Sequence, residues 1–123
     1  AYTDPEIAWT GLTETQAKER GVAVEKATFR WAASGRALGV GRSEGFTKLL
    51  VEPDTRRLLG AGIAGIHAGE LIAEATLALE LGAKAEDLAR SIHAHPTLSE
   101  TLGLAAELAE GTITDLYAPR KRR

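Results

Sequence analysis

Phe46-Thr47-Lys48-Leu49-Leu50-Val51-Glu52-Pro53-Asp54-Thr55-Arg56-Arg57-Leu58-Leu59-Gly60-Ala61-Gly62-Ile63-Ala64-Gly65-Ile66 admits two readings that lead to different folds. Its second half satisfies Gly-x-Gly-x-x-Gly, a helix follows, and Glu80 stands about 20 residues on, where a dinucleotide fold places its ribose-binding acid. In that fold, however, the glycines form the loop between a strand and a helix, and the acid ends the next strand. Here residues 46–52 read as one strand, Pro53-Asp54 suits a type I turn with proline at its second position, and residues 56–66 read as the returning strand. Glu80 falls inside a helix that another helix follows. The stretch is an antiparallel hairpin, and its glycines predict close backbone packing rather than phosphate binding.

Working outward, residues 7–12 form a short strand ended by Gly11, and Thr13-Glu14-Thr15-Gln16 is a capping box for a helix that Gly21 stops. Residues 22–33 read as extended, with Phe29 and Trp31 on one face and Thr28 and Arg30 on the other. Residues 34–44, rich in glycine, read as irregular with at most one helical turn. After the hairpin, Leu71, Ile72, Ala75, Ala78 and Leu79 recur at helical spacing over residues 69–81, the longest helix, which Gly82 ends. Its small and apolar residues predict heavy cover, by the sheet and by a second subunit. Residues 84–91 give a shorter helix with Glu86 and Asp87 in its first turn and Lys84 as a weak N-cap. Residues 99–110 give the last helix, with Leu102, Ala105, Ala106 and Ala109 on one side and Gly111 as its stop. The sum is one α+β domain over residues 1–123, an antiparallel sheet of four or five strands packed against helices.

Composition bounds the function. The 123 residues suffice for one core and leave no room for a second, nucleotide-binding domain. Fifteen Lys and Arg against 17 Asp and Glu give a net charge of −2, which predicts no general attraction to nucleic acid or an anionic membrane. The basic tail Arg120-Lys121-Arg122-Arg123 reads as solvated. No cysteine is present, so the chain holds no thiolate nucleophile and no Cys-based metal site. No apolar run approaches a membrane span and the N-terminus is unlike a signal peptide, so a cytoplasmic setting is expected. With no methionine either, the chain reads as an excised piece of a longer protein.

The chemistry concentrates in Ser91-Ile92-His93-Ala94-His95-Pro96-Thr97-Leu98-Ser99-Glu100. Pro96 fixes its own φ and drives His95 towards extended backbone, so His95 ends a loop. Thr97 and Glu100 fit a capping box for the last helix. Glu100 is near enough to hydrogen-bond one nitrogen of His95, fix its tautomer and raise the basicity of the other. That is the layout of a general acid/base. Two other readings stand beside it: metal ligation by His93 and His95 with His67 as third ligand, and a helix start with no chemistry.

His93-Ala94-His95-Pro96-Thr97-Leu98-Ser99-Glu100 resembles the C-terminal signature of the dihydrolipoamide dehydrogenases, flavin-dependent pyridine nucleotide-disulfide oxidoreductases. The resemblance extends over nearly the whole chain. Tyr2-Thr3-Asp4-Pro5-Glu6-Ile7-Ala8-Trp9-Thr10-Gly11-Leu12-Thr13-Glu14 resembles the opening of the family's interface, or dimerisation, domain. Trp31-Ala32-Ala33-Ser34-Gly35-Arg36-Ala37 and Gly45-Phe46-Thr47-Lys48-Leu49 resemble its middle, Gly69-Glu70-Leu71 its long helix, and Ile113-Thr114-Asp115-Leu116 its closing segment.

The resemblance implies a homodimer in which each domain sends its histidine into the other subunit's active site. His95 would take a proton from a dihydrolipoyl thiol and Glu100 would orient it. His93 would be secondary, serving packing or a hydrogen bond near the flavin edge, and Pro96 would be the other cofactor-binding residue. FAD, NAD and the redox-active cysteines would belong to the full-length enzyme, so that the fragment alone binds no cofactor and is inactive. The paired domains would dock the peripheral subunit-binding domain of a 2-oxo acid dehydrogenase acyltransferase (E2). A stand-alone dimerisation or docking module, with His95 serving only structure, is the alternative.

Overall fold

The computed structural model describes residues 1–113, so the segment from Thr114 onward, with the basic tail, lies outside the described residues. The hairpin forms the centre of a four-stranded antiparallel sheet. In chain order the elements are β1 (Glu6–Gly11), α1 (Glu14–Arg20), β2 (Glu25–Arg30), a 3-10 turn (Trp31–Ala33), α2 (Gly35–Gly39), β3 (Phe46–Val51), β4 (Leu58–Gly65), α3 (Ala68–Glu80), α4 (Ala85–Arg90) and α5 (Glu100–Glu110). The strand order is β1-β4-β3-β2. The architecture is α+β.

The glycine run lies in β4, an inner strand. A Cβ on Gly60 would come within 2.0 Å of the Leu12 carbonyl oxygen, and one on Gly65, at φ 151°, within 2.3 Å of the Trp31 ring. These two glycines therefore admit a neighbouring backbone and an indole, as close packing requires. The turn is larger than a type I turn centred on Pro53-Asp54. Arg56 takes a left-handed φ of 65° and its amide donates to the Glu52 carbonyl at 2.9 Å, so the returning strand starts at Leu58.

β2 is shorter than the sequence pattern suggests. It ends at Arg30, and Trp31 opens the 3-10 turn with its ring against Gly65. Phe29 and Trp31 are both fully buried, but in two different clusters.

Helix ends follow local chemistry. Thr13 and Gln16 exchange side-chain and backbone hydrogen bonds at 3.1 Å each, and Gly21 closes α1 in left-handed conformation. Ser34 caps α2 through the Ala37 amide. At α4 the weak cap is offset by Asp87, which accepts from the Lys84 amide at 2.8 Å.

α3 packs across β1 and β4, α5 packs across β2 and β3, and α4 packs on α5. The register places Ala8, Ile63, Thr47 and Phe29 side by side, beneath these helices. Phe29 belongs to the larger core cluster, whose members include Leu49, Val51, Leu102, Ala105 and Ala106, and Ile63 to the smaller one around Trp31, against which Ala8 packs. Fully burying a leucine or phenylalanine stabilises by about 1.5–3 kcal/mol, so this layer holds the helices, and the loop between α4 and α5, in place. On the opposite face of β1, Ile7 and Trp9 are exposed.

Candidate active site

Residues 91–99 connect α4 to α5 without helix or strand, and tertiary bonds supply their order. The His95–Pro96 peptide bond is cis. The Pro96 carbonyl accepts from Arg36 Nε of α2 at 3.0 Å, and the Ala94 carbonyl accepts from the Thr97 hydroxyl at 2.6 Å. Thr97 Oγ1 accepts from the Glu100 amide at 3.3 Å, half of the expected capping box. The other half is absent because the Glu100 carboxylate turns to His95 instead. Consequently α5 starts one residue late, at Glu100, with Ser99 as an N-cap that makes no side-chain bond.

His95 and Glu100 are brought together as the sequence predicts. Nδ1 of His95 lies 3.0 Å from both carboxylate oxygens of Glu100. The histidine side chain is 76 % exposed and the glutamate 12 %. A carboxylate only accepts, so Nδ1 carries the proton of the neutral ring and Nε2 carries the lone pair. Nε2 makes no hydrogen bond among the described residues and sits on the exposed ring, where it is open to a proton donor.

His93 differs in every respect. Its side chain is 13 % exposed, with Nε2 2.7 Å from Oε2 of Glu74 on α3 and Nδ1 3.0 Å from the Ser91 carbonyl oxygen. Beneath it lies Gly103 of α5, where a Cβ would stand 2.8 Å from His93 Nδ1. His67 is remote in role: it caps α3 at φ 61° without a side-chain bond. No group of three or more His, Cys, Asp or Glu among the described residues converges in a way that could hold a metal, which removes support from the reading of His67, His93 and His95 as ligands.

A buried polar chain ties this corner to the sheet. Trp31 Nε1 donates to Thr47 Oγ1 at 3.0 Å, Thr47 and Thr101 hydroxyls are 2.8 Å apart, and Thr101 Oγ1 donates to the Leu98 carbonyl at 2.7 Å. Thr101 has spent its one proton on Leu98, so Thr47 donates to Thr101 and the chain runs in one direction. Sequence reading does not find this chain, nor Glu74, Arg36 or Gly103. Of these only Gly103 carries a local signal, since a glycine inside a helix usually has a packing reason.

The family model described as "Pyridine nucleotide-disulphide oxidoreductase, dimerisation domain" matches residues 1–106. The chain belongs to that family.

This dimerisation domain is 55 % identical over 122 residues to the dihydrolipoyl dehydrogenase of Vibrio parahaemolyticus, covering 99 % of this chain and 25 % of the relative. It is 57 % identical over 116 residues to that of Haemophilus influenzae, covering 94 % and 24 %. Among solved structures it is similar to LpdA from Mycobacterium tuberculosis, at TM-score 0.82 and 25 % identity over 86 % of this chain and 23 % of the other. It is also similar to the flavoprotein disulfide reductase RclA from Escherichia coli as its Cu(II) complex, at TM-score 0.79 and 31 % identity over 85 % and 24 %. The chain spans about a quarter of the length of the curated relatives it matches. The family description implies a homodimer. No helix among the described residues is long and apolar enough to cross a membrane.

Proposed function

We propose that this chain is the dimerisation domain of a dihydrolipoyl dehydrogenase, and that it supplies His95 and Glu100 in trans as the acid-base pair for NAD-linked oxidation of dihydrolipoyl groups. The observation that carries the reading is the exposed His95 ring held at Nδ1 by a nearly buried carboxylate, with Nε2 open.

The chemistry requires such a group. A thiolate, not a thiol, attacks a disulfide, and an ordinary thiol of pKa about 8.5 is mostly protonated at neutral pH. His95 Nε2 takes the proton from one dihydrolipoyl thiol, leaving sulfur as the nucleophile for exchange with a disulfide elsewhere in the protein. The Glu100 carboxylate meets the charge that then appears on the imidazole and keeps the ring oriented.

FAD and NAD, when bound by the whole enzyme, accept the electrons. Their binding belongs to the part of the protein beyond this domain. His93 offers no free ring nitrogen to a cofactor, because both are bonded within the chain. Pro96, exposed beside His95, is the residue left to face a flavin edge. The paired domains would present the docking surface for the peripheral subunit-binding domain of a 2-oxo acid dehydrogenase acyltransferase (E2), in the cytoplasm.

The test is His95→Gln in the full-length enzyme. Dihydrolipoamide oxidation is expected to fall about 10²–10⁴-fold. Electron transfer from NADH to an artificial acceptor, which needs no substrate thiol, is expected to persist. Equal losses in the two assays would overturn the assignment.

A further inference from the structure

His93 is the one residue between Ser91 and Pro96 that is not exposed. In a loop without helix or strand, a single inward side chain sets where the backbone runs. Its ring is gripped from three sides by three different pieces of the molecule. Glu74 on α3 holds Nε2, the Ser91 carbonyl at the end of α4 holds Nδ1, and Gly103 on α5 leaves the volume the imidazole fills. Both partners are acceptors, so both bonds are made together when the ring carries two protons, which adds charge to the contact with Glu74. One residue, Ala94, separates this anchor from His95. Downstream the path is fixed again by Arg36 on the Pro96 carbonyl.

We propose that Glu74, His93 and Gly103 form a clamp that holds His95 in register with Glu100, making Glu74 and His93 positioning residues for the deprotonation of the substrate thiol. The proposal rests on the reading of His95 as the base. The physical ground is that Glu100 is rooted in α5, whose place the core sets, whereas His95 rides on the loop. Only a loop pinned to the same helix keeps the 3.0 Å contact, and the ring of His93 against Gly103 is that pin. A misplacement of about 1 Å at a reacting group costs up to about 10²-fold in rate.

The experiment runs on two samples. In this chain, the ring nitrogen shifts of His95 and the carboxyl carbon shift of Glu100, read by NMR, report the His95–Glu100 bond. Glu74→Leu and Gly103→Ala are expected to move both sets of signals, and Glu74→Gln, which keeps an acceptor oxygen, to hold them near wild type. In the full-length enzyme, Glu74→Leu is expected to lower kcat for dihydrolipoamide about 10- to 100-fold, with KM within about twofold and NADH oxidation by an artificial acceptor unchanged. Glu74 is half-exposed on its helix, so this variant carries the test where Gly103→Ala fails to fold. Unmoved His95 and Glu100 signals in Glu74→Leu overturn the clamp, whatever the base is. Moved signals with an unchanged kcat uphold the clamp and overturn the acid-base reading of His95.

Discussion

Two loops of this domain each gather an arginine or histidine with carboxylates, and they end in opposite states. At the 52–57 turn, all three nitrogens of Arg56 are bonded within the fold: Nη1 donates to Glu25 of β2, Nε and Nη2 donate to Glu110 of α5, and Nη2 also donates to the Ala109 carbonyl. At the 91–100 corner, His95 bonds Glu100 through one nitrogen and presents the other outward. A guanidinium with every nitrogen bonded inside the fold is a fastener. An imidazole with one ring nitrogen left open, beside an oriented carboxylate, is equipped for chemistry. The difference lies in the residue types, since a guanidinium has no lone pair to take a proton and an imidazole has one, and in the nitrogen that His95 leaves open.

That contrast breaks if variants in the two places behave alike. Glu100→Gln in the full-length enzyme is expected to reduce dihydrolipoamide oxidation about 10²-fold, because the amide no longer stabilises the imidazolium, while the denaturation midpoint of the domain moves little. Arg56→Ala is expected to do the reverse. A hydrogen bond to a charged group contributes about 1.5–3 kcal/mol, so a loss of at least that size is expected in urea unfolding, with substrate turnover unchanged. Arg56→Gly sharpens the point: it loses the same bonds but accepts the φ of 65°, so it is expected to be the more stable of the two variants.

Thr47→Val probes the buried chain that leads to the corner. It strands the Trp31 indole N–H, an unmet buried donor worth about 1–3 kcal/mol, and urea unfolding measures the loss. The smallest effect is expected at Glu52. Its carboxylate accepts from the amide and hydroxyl of Thr55 and from the Asp54 amide, which hold it below the ordinary carboxylate range. A carboxyl depressed on folding contributes stability above its unfolded value and loses it as pH falls through the folded value. Wild type should therefore exceed Glu52→Gln in unfolding midpoint at neutral pH, with the gap closing as acid is added. A gap that widened in acid would contradict the geometry.

What sequence reading recovers, and what it misses, follows distance along the chain. The hairpin is legible because alternation and Pro53-Asp54 are local. The α1 box is legible because Thr13 and Gln16 are three apart, and the His95–Glu100 pair because Pro96 bends five residues into one corner. Glu74 and His93 are 19 residues apart on separate elements, and Thr47 and Thr101 are 54 apart. No periodicity reports such pairs, since only the packing of α3 and α5 on the sheet creates them. The start of α5 is misread for a related reason. Glu100 has two available uses, the local cap and the imidazole, and the nearby ring takes it.

The position of β1 has a consequence for the order of assembly. β3 and β4 are joined by a short turn and zip locally, and β2 adds to β3 across the segment that holds α2. Among the described residues β1 pairs only with β4, with Glu6 opposite Gly65 and Gly11 opposite Gly60. Closing so long a loop costs chain entropy before any contact rewards it. Within this domain β1 is thus expected to dock last, laid onto the edge of β4, and hydrogen exchange is expected to find its amides exchanging sooner than those of β3 and β4.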